Sequence, residues 1–289
     1  MATLDDITNS LDSNVSSIIP DTTLEGVLGQ FDNEILNNEN LNTLLASVDS
    51  SVLQSESFSN LVQNVDEELL IDNSFTQFLS SADESLLTSS EFTTALSDID
   101  PSLLRQSAFT NLLASVGIEL ITDGSFRTFI TSLGGELLSD GSFNSFLSGL
   151  SDNLLTGDFT ETLSALEPSV LRSGTFTEAV VGLDSEVLND DSFQSFLSRA
   201  GEDALTDGSF TSFIASTDPA VLRSASFTGG LLTLSSEVIK QREFTDELSK
   251  VSASELASEE FGNFLGSLSQ SQEISGQTPT EALVAQIEL

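Results

Sequence analysis

Residues 193–227 read FQSFLSRAGEDALTDGSFTSFIASTDPAVLRSASF, and the three phenylalanines that open, divide and close this stretch, Phe193, Phe210 and Phe227, stand 17 residues apart. Three and four residues beyond Phe193 and Phe210 stand Phe196, Leu197, Phe213 and Ile214, and Val221 and Leu222 follow eight residues after the second pair, the spacing of one helical face. No two-residue alternation of the kind a strand needs is present. Pro219, preceded by Asp218, interrupts the second interval. Proline inside a helix costs about 3 kcal/mol but is favoured at a first helical position. The spacing therefore predicts two short helices per interval, the second opening at the proline with the aspartate as its N-cap.

The same interval extends through the chain. Phenylalanine recurs every 17 residues from Phe58 to Phe143, and after a single 16-residue step to Phe159 the period resumes as far as Phe261. Continued backwards it falls on Leu41, Leu24 and Ile7, so the array holds 16 units. Counting each unit from its Phe, position 5 is aliphatic throughout, from Leu11 to Leu265. Position 13 is Leu or Ile except at Glu273. Position 9 carries an acid in half of the units (Asp32, Asp49, Asp66, Asp83, Asp100, Glu167, Asp184 and Asp218), and Pro101, Pro168 and Pro219 follow three of them. Position 17 offers a second set of capping residues, among them Asp6, Thr23, Asn40, Ser74, Asp158 and Thr175. The glycines of turn strings such as TDGS suit a left-handed helix C-terminus.

Each unit thus reads as a helix of about eight residues, a tight break, a helix of about five, and a turn. Helices that short hold only by packing on their neighbours, which is the logic of a solenoid. The expectation is one all-α solenoid over residues 1–289, with atypical N-terminal repeats at 1–57, regular repeats at 58–243, and degenerate C-terminal repeats and tail at 244–289. The D/E-P-(S/A)-(L/V)-L-R pattern ending at Arg105, Arg172 and Arg223 suggests three units per superhelical turn. These arginines sit where a cation favours the end of a helix.

The 289 residues contain 46 acids and 8 basic residues, a formal charge of 8 − 46 = −38, with Cys, His, Trp and Tyr absent. That composition removes thiol and imidazole nucleophiles, imidazole bases, thiolate–imidazole zinc sites and disulfides. It disfavours nucleic acid, whose binding needs clustered cations. No stretch approaches the ~20 apolar residues of a membrane span, so no membrane insertion is expected. The opening MATLDDITNS lacks a basic, apolar secretion signal. Two settings fit: the extracellular medium or cell surface by a route without a conventional signal, or the cytoplasm of a salt-loving cell.

The acids are the only chemically distinctive groups. Asp72, Asp123, Asp140, Asp190 and Asp207 recur at position 15. If stacked, they would make a carboxylate ladder of hard oxygen ligands suited to calcium. The alternative is turn chemistry, in which each aspartate bonds its own backbone. No other cofactor is expected. The leading functional expectation is a non-enzymatic structural protein that self-assembles into a fibre or surface layer in a salt- or calcium-rich setting. The alternatives are a monomeric acidic scaffold for a protein partner and a calcium-responsive secreted or adhesive protein.

Overall fold

A computed structural model describes residues 24–116, 118–275 and 277–287. The first unit, with Ile7, Asp6 and Leu11, and the cap expected at Thr23 lie outside the described residues. Every regular element among the described residues is helical. Long helices of mostly eight or nine residues alternate with short ones of mostly four, as in Asn73–Ser81 followed by Glu84–Leu87. By contacts the chain divides into two compact units, Met1–Asn144 and Ser145–Leu289, and each is a stack of these two-helix repeats, an α-solenoid.

The caps explain the boundaries. At the break, Asp66, Asp83, Asp100, Asp184 and Asp218 each accept a hydrogen bond from the backbone amide two residues on, satisfying one of the orphan donors of the short helix. Pro101, Pro168 and Pro219 occupy the first helical position behind Asp100, Glu167 and Asp218. The long helix starts two residues earlier than the sequence suggests. Its N-cap is position 15, and Ser74 and its counterparts at position 17 lie inside the first turn. At Asn40 and Thr175 the position-17 side chain instead donates across the stack. Asn40 Nδ2 bonds the Ile71 carbonyl at 2.7 Å, and Thr175 Oγ1 bonds that of Thr206 at 3.2 Å. Both carbonyls belong to the C-cap residue of a short helix two repeats on.

Nor do the turn glycines adopt left-handed backbone. Gly124, Gly141, Gly174 and Gly208 are first helical residues without positive φ. The connection needs only a C-cap residue near the helical region followed by an extended N-cap, as at Asn189 and Asp190.

The 16-residue step has a local consequence. The helix after it shrinks to Phe159–Ser164, and its cap, Asp158, makes no side-chain capping bond.

Successive repeats alternate between two stacks. Long helices pack on long helices two repeats away: Leu24–Leu28 on Glu56–Asn64, Glu39–Ser47 on Asn73–Ser81, Gly174–Val181 on Gly208–Ser216, Asp191–Arg199 on Ala225–Leu231. Short helices do the same, as Ser185–Leu188 on Pro219–Leu222. The higher-order step is therefore two repeats, not the expected three. The sequence pattern ending in arginine marks ion pairing between layers rather than the turn of the superhelix.

Between the stacks lies the core. The phenylalanine column from Phe58 to Phe261 is at most 4% exposed, and burying each ring contributes about 1.5–3 kcal/mol. In the second unit Phe193, Phe196, Phe210, Phe213 and Phe227 follow one another at 6.1–6.4 Å between ring centroids, a continuous aromatic run joining three successive repeats. Edge-tilted pairs of this kind add to the area term.

The last repeat departs from the pattern. Glu259–Ser275 is one continuous helix, without the break expected at position 9. Gln272 and Glu273 replace the apolar pair that elsewhere folds a short helix back onto the core, so nothing drives the chain to break there. The following helix, Pro279–Ile287, packs on Arg242–Leu248, two repeats back, with Leu283 fully buried. It occupies the place of a further long helix and covers the apolar face of that layer.

Candidate functional site

The position-15 aspartates are helix caps in every case. Asp72 accepts from the amides of Ser74 and Phe75 at 2.8 and 3.0 Å, and Asp123 from Ser125 and Phe126 at 2.8 and 2.9 Å. Asp140 accepts from Ser142 and Phe143 at 2.8 and 3.1 Å, Asp190 from Ser192 and Phe193 at 2.9 and 3.1 Å, and Asp207 from Ser209 and Phe210 at 2.9 and 3.0 Å. One oxygen, Oδ1, takes both bonds each time.

The two-repeat stacking keeps these aspartates apart. In the first unit the capping position two repeats after Asp72 and two before Asp140 is Gln106, and the one two repeats before Asp123 is Ser89. In the second unit Asp190 is stacked beside Ser224, and Asp207 beside Gln241. Among the described residues no group of three or more acid side chains is arranged to hold a metal ion.

Four of the basic residues, Arg105, Arg127, Arg223 and Lys240, pair with acids two repeats back. Arg105, C-cap of its short helix, reaches back two repeats to Glu68 at 2.7 Å and Asp66 at 3.8 Å. Arg223 pairs in the same register with Glu186 at 2.7 Å, and Lys240 with Asp203 at 3.8 Å. The hydrogen bond that the Lys240 ammonium donates to Glu237 raises the lysine's pKa above its ordinary value. Arg172 is likewise the C-cap of its helix. These pairs are partly exposed, so solvent screens them and their net contribution is small. They pin register more than they stabilise.

The remaining acids face outward. No Asp or Glu is buried among the described residues, and the one strongly exposed large apolar side chain is Val181. The surface of the described residues is therefore acidic, with few strongly exposed apolar side chains. No described helix is long and apolar enough to cross a membrane.

One column escaped the sequence reading. Position 2 is buried although polar: Thr76, Thr93, Thr110, Thr160, Thr211 and Thr228 are each 3–4% exposed. The hydroxyl of Thr76 bonds the Asp72 carbonyl at 2.7 Å, and that of Thr211 the Asp207 carbonyl at 2.8 Å, so the column carries its own hydrogen bonds. Its small side chains let stacked helices approach. The recurrent Thr after Phe was the available signal. At the last layer the same position is Gly262.

No protein-family model, curated protein or solved structure matches this chain.

Proposed function

We propose that this protein is a non-enzymatic interaction scaffold whose acidic repeat surface holds a basic protein partner. The observation that carries the reading is the surface itself: carboxylates outward, no cation cluster and, among the described residues, a single strongly exposed large apolar side chain, Val181, which offers little through which copies could associate. The Pro279–Ile287 helix covers the core of the layer it packs on, which further disfavours head-to-tail growth through that face. With 46 acids against 8 basic residues, the field steers cationic partners and strengthens as salt falls.

Light scattering of the protein alone, with and without millimolar calcium, combined with titration of poly-L-lysine at low and high salt, tests this. The expected outcome is a 30.7 kDa monomer that binds poly-L-lysine at low salt and releases it as the Debye length shrinks from about 10 Å at 0.1 M to 3 Å at 1 M. Growing particles would replace the scaffold with the fibre or surface-layer reading. Growth only with calcium would give the position-15 carboxylates a ligand role. Absence of poly-L-lysine binding at low salt would refute the proposal.

A further inference from the structure

Position 2 holds Arg127 in one repeat, the one basic residue in a column otherwise filled mainly by threonine. An arginine does not fit a seam built for threonine. Its side chain leaves the seam and pairs with Asp98 at 2.5 Å. The long helix Ser90–Ser97 packs instead against the short helix Ile118–Thr122. Between Ser90–Ser97 and Gly124–Ser132 a groove of about 350 Å³ remains, floored by Ala95, Ile99, Leu113, Ile121, Phe126 and Ile130. The volume lies at the lower end of ordinary ligand sites, about 300–1,000 Å³. Ala95 adds to the space, because the same position carries Phe78, Phe129 and Phe146 in other repeats.

We infer that this groove receives an apolar anchor side chain from a basic segment of the partner, with a neighbouring lysine or arginine of that segment taking Asp98. The inference rests on the scaffold reading and places its contact. The charge around the groove selects the occupant. Arg127 is already neutralised by Asp98, whose side chain is 60% exposed and open to an incoming cation. The lining itself holds one acid and one base, Asp98 and Arg127, and the chain's formal charge of −38 repels an anionic occupant and attracts a cationic one.

The test uses two short fluorescein-labelled lysine-rich peptides, identical except for a central Phe in one and Ser in the other. Binding to the full chain is read by fluorescence anisotropy at low salt. The Phe peptide is expected to bind roughly tenfold or more tightly. In Ala95→Phe, which fills the groove with the ring other repeats carry there, the Phe peptide falls to the affinity of the Ser peptide while the latter stays unchanged. Equal affinities on the unaltered protein would overturn the groove and leave the scaffold reading standing. Retention of the preference by an Ala95→Phe protein with native circular dichroism would also overturn it. If neither peptide binds, both readings fail. The comparison on the unaltered protein decides the matter even if Ala95→Phe does not fold.

Discussion

A close backbone approach lies between Ala225–Leu231 and Glu259–Ser275, and it makes a sharp prediction about two glycines four residues apart. A Cβ on Gly262 would stand 2.4 Å from the carbonyl oxygen of Ser226, 2.8 Å from its carbonyl carbon and 2.9 Å from its Cβ. Two of those atoms are backbone, so the methyl is accommodated only by separating the helices. Overpacking of this kind costs about 1–3 kcal/mol. It opposes a gain of about 1 kcal/mol from replacing glycine by alanine in a helix interior. Gly266 sits on the same helix, and a Cβ there would meet nothing within 4 Å. Gly266→Ala should therefore stabilise by about 0.5–1 kcal/mol, because only the backbone terms operate. Gly262→Ala should destabilise by about 0–2 kcal/mol, the overpacking cost less the helix gain. Urea unfolding followed by far-ultraviolet circular dichroism reads both; with no Trp or Tyr in the chain, fluorescence is not available. A Gly262→Ala protein as stable as Gly266→Ala would refute the close approach.

Other expectations follow from the caps and the core. Asp207→Ala should cost about 1 kcal/mol and Asp207→Asn much less, since asparagine still accepts from the amides of Ser209 and Phe210; equal losses would show that Asp207 acts through its charge instead. Phe210→Ala, removing the central ring of the run from Phe193 to Phe227, should cost about 3–5 kcal/mol, measured by the same urea unfolding. Asp100 has a pKa below its ordinary value because the hydroxyl and amide of Ser102 bond its carboxylate. A group with a lowered folded pKa stabilises the fold above its unfolded pKa and loses that contribution as pH falls through the folded one. Melting curves of the unaltered protein and Asp100→Asn should differ most near neutrality and converge in acid. A difference that persists in strong acid would contradict the assignment.

Much of the fold is legible in sequence because its determinants are local. Pro219 behind Asp218 has few places to sit except a helix start, and a Phe every 17 residues with aliphatic residues at position 5 leaves one face to bury. The long-helix cap was misplaced from position 15 to position 17 because Asp and Ser at both positions are good caps. What separates them is which backbone amides lie within reach, two and three residues on. The position-15 aspartates illustrate the same division. Their turn role follows from residue type, whereas their separation follows from Gln106, Ser89, Ser224 and Gln241 standing between or beside them in the stacks.

From sequence alone come the repeat, its two helices, the phenylalanine core and the acidic exterior, because hydrophobic period, proline and capping chemistry act within a few residues of the chain. Tertiary structure alone decided that repeats meet every second unit, that threonine at position 2 is buried, that Gly262 lies against Ser226, and that Arg127 parts two helices. Those outcomes depend on how far each turn rotates one repeat against the next. That rotation accumulates from backbone angles, and hydropathy carries no record of it.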